Sequence, residues 1–512
     1  MRRLLAAMIF LMLVAARAPL VAQATGPADA PTPAPPTFPD TPLGRLGREL
    51  IELVNRGDST AIDAFFARGG VTQLDRGRTP AWFARTLMKV HAESDGLDVM
   101  RAHAMPDDRT LRILTRAHRG ERWLGIELVT ATPAADRIES AMTIALDDPT
   151  KPPAPWPTGL TTLAELSGAI RDRVRQAAAA DRFSGVVLVA KGDSVVVHEA
   201  VGMADREHAV PNTRDTRFGT TSVGKMFTGV AVAQLVEQGK LRFDDTLANV
   251  LPEYPNRDAA RRIVVRDLLT HTAGVPDVFL APRFTARHDF RTHAEMLPTF
   301  ADAPLAFAPG TRFEYSNGGY AVLGAIVERL SGQRYEDYLR DHVWAPAGMR
   351  RTDHAGVGRG PGRAIGYARF SETDPLGVEP RRPNVGVFGD VGHGPMLAAF
   401  GGGSYTAEDL FRFTRALRTG KLLRPETTAL VTKGVAPLGD GGPARYAYGF
   451  FDVDRGGQRV VGHSGSNPDT GLDADVEMLW DGDWTVVVLS NYDAPAGMEL
   501  SGAIQRLLAG RK

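Results

Sequence analysis

The chain has 512 residues, 60 basic and 60 acidic side chains, and no cysteine. That length is more than one hydrophobic core organises, and a formal charge of zero leaves no electrostatic footprint for nucleic acid and no polybasic patch for an anionic membrane. The absence of cysteine excludes disulfides, thiolate metal sites, a thiol nucleophile and the lipid-bearing cysteine of a lipoprotein.

The first element is a leader. Arg2 and Arg3 precede an apolar run from Leu4 to Ala16, and Ala22-Gln23-Ala24 is a small-x-small cleavage site, which predicts a signal peptide over 1–24 and a periplasmic or secreted protein. The run ends at Arg17, short of the ~20 residues a spanning helix needs. No later segment is long and apolar enough, so no membrane span is expected in the mature chain. Residues 25–42 are rich in proline and alanine and read as an extended linker, and a second proline-rich break covers 147–160.

Between these breaks, 43–146 begins with helical spacing: Leu46, Leu50, Ile51, Leu53 and Val54 share a face, and "STAIDAFFA" resumes after Arg56-Gly57-Asp58. Four alternating runs follow, "LDVMRAHA", "TLRILTRA", "ERWLGIELVTA" and "RIESAMTIAL". Helices followed by a four-stranded antiparallel sheet make a small α+β domain, similar in element order to the nuclear-transport-factor-2-like cone. It carries no convergent acid, base or metal cluster, which points to a packing or binding role.

The larger piece, 161–512, opens with the helix "LAELSGAIRDRVRQAAAA" and a hairpin turning at Lys191-Gly192-Asp193. Near its end "RYAYGFFDV", "QRVVGH", "DADVEML" and "WTVVVLSNY" read as strands, followed by a helix near 496–509. Mostly helical pattern lies between. The simplest topology joins both ends in one antiparallel sheet flanked by helices, with the helical middle as an inserted subdomain and a cleft where sheet meets insert.

Chemistry first becomes legible at "TTSVGKMFTGVAVAQLVEQGKL". Met226, Val230, Leu235 and Val236 have helical spacing and Gly239 fits a C′ position, so Ser222 begins a helix and Lys225 lies one turn on, its amine beside the hydroxyl. Lysine can deprotonate a serine if burial and the positive helix N-terminus lower its pKa. A serine N-cap followed by an exposed lysine is the ordinary alternative. Tyr315-Ser316-Asn317 adds a phenol that would ionise more easily near an ammonium, and an amide able to orient lysine or substrate; a core aromatic and a helix cap are the alternatives. Tyr254-Pro255-Asn256 competes, but Pro255 suggests a surface turn.

The third element, His463-Ser464-Gly465, sits at the end of a strand-like run. There His463 could hydrogen-bond substrate, Gly465 would admit an acyl group to the backbone, and the Ser466 amide could face an oxyanion. The overlapping Gly462-His463-Ser464-Gly465-Ser466 nearly spells the nucleophile elbow of α/β-hydrolases. Ser466 replaces its last glycine, though, and a loop and strand follow where that elbow needs a helix.

In chain order, S-x-x-K at 222–225, Y-x-N at 315–317 and H-x-G at 463–465 resemble the serine β-lactamase and penicillin-binding-protein superfamily, in its class C β-lactamase, D-alanyl-D-alanine carboxypeptidase and esterase branch. "RDLLTHTAGVPD", "YSNGGYAVLGAIVERLSGQRYEDYLRDHVWAPAGM" and "GGGSYTAEDLFRF" extend the similarity over about 165–510. The resemblance implies a β-lactamase/transpeptidase-like fold with Ser222 as acylated nucleophile, Lys225 as its base and Tyr315 as proton shuttle. Asn317 and His463 would position substrate and lysine, and the amides of Ser222 and Ser466 would form an oxyanion hole.

Histidine at 463, where many β-lactamases of the branch carry lysine, implies a peptidase or esterase rather than an efficient β-lactamase. The expected substrate is a D-amino-acid peptide, an ester or a related amide, with no cofactor and no metal. The alternative is a catalytically silent protein of the same fold that binds peptidoglycan or a partner. Nothing in the sequence specifies an oligomeric state.

Overall fold

The computed structural model describes residues 38–70, 79–105, 108–120, 122–130, 132–146, 154–285, 290–353, 360–369, 381–383, 398–438, 442–467 and 470–511. The expected signal peptide at 1–24 lies outside them, as do most of the linker at 25–42, part of that at 147–160 and most of the loop "ETDPLGVEPRRPNVGVFGDVGHGP". Two compact units are present: one runs to Pro155 and includes Arg369–Arg381, and the other is built from Trp156–Ala368 and the residues from Arg382 onward.

In the smaller unit, helices α1 (Pro42–Arg56), α2 (Ser59–Phe66) and α3 (Pro80–Ser94) precede strands β1 (Leu97–Ala104), β2 (Thr110–Ala117), β3 (Trp123–Thr130) and β4 (Ile138–Leu146). The strands pair antiparallel in sequence order. Local chemistry sets the helix limits: Thr41, Asp58 and Thr79 cap the three N-termini through their side chains, and Gly57 closes α1 at φ 66°. Leu46, Leu50 and Val54 of α1 pack with Phe65, Phe83, Leu111, Ile113, Leu124 and Ile126 in one core.

The larger unit starts with α4 (Leu163–Ala179) and the hairpin β5 (Gly185–Lys191) and β6 (Ser194–Val201). Helices α5 (Lys225–Glu237), α6 (His293–Phe300), α7 (Asn317–Ser331) and α8 (Ala407–Arg418) belong to the central part. It closes with β7 (Ala436–Pro437), β8 (Arg445–Tyr446), β9 (Phe451–Asp454), β10 (Arg459–Asn467), β11 (Leu472–Leu479), β12 (Trp484–Ser490) and α9 (Ala496–Leu508). The sheet order is β7-β8-β9-β10-β11-β12-β5-β6, antiparallel throughout, so β12 pairs with β5 and both ends of the unit share one sheet.

Both faces of the central strands are covered, which explains their nearly continuous apolar sequence. Val186, Leu188, Val476 and Val487 face the helical insert with Met226, Phe227 and Val230 of α5. Val187, Val189, Val486 and Val488 face the other way, against Ile170 and Val174 of α4 and Ile504 and Leu508 of α9. Helix α5 is apolar around its circumference and correspondingly buried from Lys225 to Ala233.

One element departs from the sequence reading. "RYAYGFFDV" is not one strand but the hairpin β8–β9, with Arg445 opposite Asp452 and Tyr446 opposite Phe451. The reversal falls at Gly449, whose φ is 90° and where an added Cβ would lie 2.4 Å from the carbonyl oxygen of Lys225. Contact with the start of α5 therefore selects glycine and folds the run back, bringing Tyr446 beside His463.

Candidate active site

Ser222 does not begin an α-helix. It sits in a 3₁₀ turn, Thr221–Gly224, and Lys225 is the first residue of α5. Thr221 has a φ of 44°, an uncommon conformation for a β-branched residue that indicates strain held by its surroundings. One such constraint is Gly402, whose N–H donates to the Thr221 carbonyl at 3.0 Å. The other is β10: a Cβ on Gly465 would lie 2.1 Å from the Thr220 oxygen and 2.8 Å from the Ser222 nitrogen. Gly465 thus admits the serine turn itself to the strand, a closer role than admitting an acyl group. β9 pairs with β10 as far as Gly462, and the next stretch of β10 packs on the turn carrying Ser222.

Lys225 is fully buried. Its Nζ lies 3.2 Å from Ser222 Oγ and donates to Asn317 Oδ1 at 2.8 Å and to the Phe400 carbonyl. Burial drives its pKa well below the ordinary lysine value, with the negative charge of Asp277 opposing the shift. A neutral amine has two N–H bonds and one lone pair. In that form, with both N–H bonds given to Asn317 and Phe400, the lone pair is left for the Ser222 hydroxyl.

The Tyr315 ring lies beneath the amine, its centroid 4.7 Å from Nζ. Here the structure corrects the expectation that Tyr315 ionises easily: burial pushes its phenol well above the ordinary tyrosine value. Hydrogen bonding toward Ser222 acts in the opposite direction, although no contact of full hydrogen-bond geometry reaches that oxygen among the described residues. The phenol therefore remains protonated beside the serine and the amine. The rival Tyr254 ends an exposed turn, its N–H donating to the Leu251 carbonyl at 2.9 Å, but its side chain is buried in the core, and Asn256 caps a separate short helix by accepting the Ala259 N–H at 3.0 Å.

Asn317 is the first residue of α7, which Ser316 caps. Its orientation comes from Asp277, one carboxylate oxygen of which accepts the Asn317 backbone N–H at 2.8 Å and its side-chain N–H at 2.9 Å. With the amide nitrogen so engaged, the oxygen must face Lys225. His271 stacks on Tyr315 at 4.2 Å and accepts the Ser316 N–H through Nδ1 at 3.0 Å. Asp277 and His271 both lie in "RDLLTHTAGVPD", a segment whose similarity was legible while its roles were not.

His463 is also corrected. The ring is completely buried, Nε2 accepts from the Tyr446 hydroxyl at 3.0 Å, and Nδ1 faces the Ser464 carbonyl. Burial and the neighbouring Lys225 push its pKa down to about 3, so both nitrogens are occupied and the ring is neutral. It has no free donor for substrate. Ser464 is a buried residue in the middle of β10, and Ser466 is half-buried further along the strand.

A serine hydroxyl facing a buried amine, at the junction of an antiparallel sheet and a helical insert, defines a serine hydrolase. The Beta-lactamase family profile matches residues 170–511. Penicillin-binding protein 4* of Bacillus subtilis is 28% identical over 347 residues, covering 64% of this chain and 73% of that protein. Esterase EstB of Burkholderia gladioli is 32% identical over 302 residues, covering 53% of this chain and 76% of the esterase. A solved penicillin binding protein from Bacillus halodurans aligns with a TM-score of 0.56 at 29% identity, over 65% of this chain and 98% of that one. The chain belongs to the β-lactamase family, with residues 1–169 outside the match.

Proposed function

We propose that this chain is an exported hydrolase that forms an acyl-enzyme on Ser222. The observation that carries this reading is the buried Lys225 amine, bonded to Asn317 Oδ1 and the Phe400 carbonyl with its third direction toward Ser222 Oγ. Lys225 takes the serine proton as Ser222 attacks the substrate carbonyl. Tyr315, held protonated, passes a proton to the leaving group and regains it through the amine, and the reverse relay serves when water releases the acyl group. The amides of Ser222 and Ser466 act on the oxyanion, each donor contributing ~3 kcal/mol.

The substrate reading follows from charge. A neutral His463 with both nitrogens bonded offers no cation for a substrate carboxylate. This supports esters and D-amino-acid amides or peptides that present an uncharged acyl site over carboxylate-bearing β-lactams. The similarity to a penicillin-binding protein and to an esterase supports the same range. Export is supported by Arg2, Arg3 and the apolar run that follows. Among the described residues no helix is long and apolar enough to cross a membrane. We also take 43–146 and 161–512 as domains, the first with a packing or binding role.

Intact-mass detection of adducts tests the reading, using p-nitrophenyl esters, D-alanyl peptides, a cephalosporin and a fluorophosphonate. Wild type should gain one acyl or phosphonyl mass, and Ser222→Ala should gain none. Labelling that survives Ser222→Ala but disappears in Ser464→Ala would transfer the chemistry to the strand serine. A wild-type protein inert to the whole panel would make it a binding protein of this fold.

A further inference from the structure

The Phe400 carbonyl fixes one of the two N–H bonds of the Lys225 amine, so whatever holds that carbonyl also sets where the lone pair points. Phe400 lies in a tight turn ahead of Gly402, closed by the Gly401 N–H on the Ala398 carbonyl at 3.0 Å, and two side chains fix the preceding residue, Ala399. The Ala399 N–H donates to His293 Nε2 at 2.8 Å, and the Ala399 carbonyl accepts from Thr228 Oγ1 at 2.6 Å. Tyr335 lies 2.6 Å from the same Thr228 hydroxyl and can donate to it, leaving the threonine proton for Ala399.

His293 is fully buried at the start of α6. Its Nδ1 is 2.8 Å from Glu328 Oε1, and its backbone N–H donates to Glu328 Oε2 at 2.9 Å. Burial works against the Glu328 carboxylate, and its contacts with His293 outweigh that and hold its pKa below the ordinary value. Since a carboxylate accepts and an amide N–H donates, the two partners together require a neutral ring with its proton on Nδ1. The ring also rests on α7, where a Cβ at Gly324 would come within 2.3 Å of it. The packing and both hydrogen bonds therefore converge on one position for Ala399.

We infer that His293, oriented by Glu328, is a positioning residue that holds Ala399 and with it the Phe400 carbonyl against Lys225, aiming the amine at Ser222, a role that rests on the hydrolase function proposed above. His293 touches neither Ser222 nor substrate in this scheme. It acts through one backbone amide.

The test compares His293→Leu, His293→Gln and Thr228→Val with wild type, measuring kcat, KM and the pH profile of kcat/KM on a p-nitrophenyl ester, with circular dichroism to establish folding. Folded His293→Leu should lose about 10- to 100-fold in kcat with KM nearly unchanged, as a small misplacement of a reacting group costs. Its acid limb should move to lower pH, because a carbonyl acceptor favours the charged amine while the other groups facing it, Asp277, His271, His463, Tyr315 and Tyr320, are unaltered. His293→Gln, whose amide oxygen can accept the Ala399 N–H, should recover much of the loss, and Thr228→Val should show a smaller shift in the same direction. A folded His293→Leu with wild-type kcat and limb overturns the role, as does a loss of kcat without a moved limb. Should His293→Leu fail to fold, a wild-type profile in Thr228→Val overturns it equally. If wild type takes no label on Ser222, the hydrolase function fails and this role with it; a labelled wild type with indifferent variants sinks the role alone.

Discussion

Asp277 and Asn317 are joined twice through one carboxylate oxygen, which accepts the Asn317 backbone N–H at 2.8 Å and its side-chain N–H at 2.9 Å. The pair settles which end of the amide faces Lys225. Asp277→Ala removes that constraint, so the amide can turn its nitrogen to the amine and withdraw an acceptor. The expected result is a 10- to 100-fold fall in kcat/KM (about 1.4 to 2.7 kcal/mol), measured by steady-state ester hydrolysis. A melting curve should show a further cost of about 1–3 kcal/mol from the orphaned N–H groups.

The pH profile should belong to Lys225. Its folded pKa is lowered, so between that value and the ordinary 10.5 the unfolded chain binds more protons, and this group makes stability rise with pH across that window. Activity should follow the same ionisation: kcat/KM climbs as the amine loses its proton and then levels. Tyr315 is shifted upward, so it should add no alkaline limb below pH 10. Tyr315→Phe should lower kcat and leave the acid limb in place, as kcat/KM profiles of the two proteins will show.

Gly465 should tolerate no side chain. An alanine Cβ there would lie 2.1 Å from the Thr220 oxygen and 2.8 Å from the Ser222 nitrogen, and the turn must retreat to admit it. Gly465→Ala should react with fluorophosphonate at least ~100-fold more slowly while keeping most of its thermal stability, a loss in line with misplacement of a nucleophile.

A second group of buried acids lies on the opposite face of the sheet. Asp473, Asp475 and Glu477 alternate along β11 toward α9, where Asp473 accepts the N–H groups of Gly497 and Met498. Burial raises all three, Asp473 to about 7, and the neighbouring Asp475 charge adds to the rise of Glu477. Raised folded pKa values mean the folded chain holds more protons above the ordinary carboxylate range. These groups therefore lower stability as pH rises through their folded values. Glu477→Gln should stabilise the protein at pH 8 and flatten the decline from pH 5 to 8 in urea unfolding.

Local pattern reached far into this protein. Strands β1 and β2, the β5–β6 hairpin and helix α9 lie where alternation and helical spacing put them, because each carries its own periodicity and turn residues. The family resemblance was equally legible, since Ser222, Lys225, Tyr315, Asn317 and His463 stand in short motifs with extended flanks. What pattern could not supply was the partner of each polar atom. Asp277 behind Asn317, Phe400 on Lys225, Tyr446 on His463 and His293 on Ala399 are 40, 175, 17 and 106 residues from the groups they contact.

The strand-like "RYAYGFFDV" shows why. Its composition is compatible with one strand, and it folds back because Gly449 meets the start of α5, a contact absent from the segment itself. The chemistry was likewise undecided in one dimension. Residue types alone admit an ionised tyrosine and an exposed histidine, whereas burial, which disfavours charge in proportion to the water removed, keeps Tyr315 protonated and His463 neutral. The sequence by itself determined most of the elements and which groups could react. Tertiary structure decided which of those groups are dry, which atoms face each other, and so which of them can hold or give up a proton.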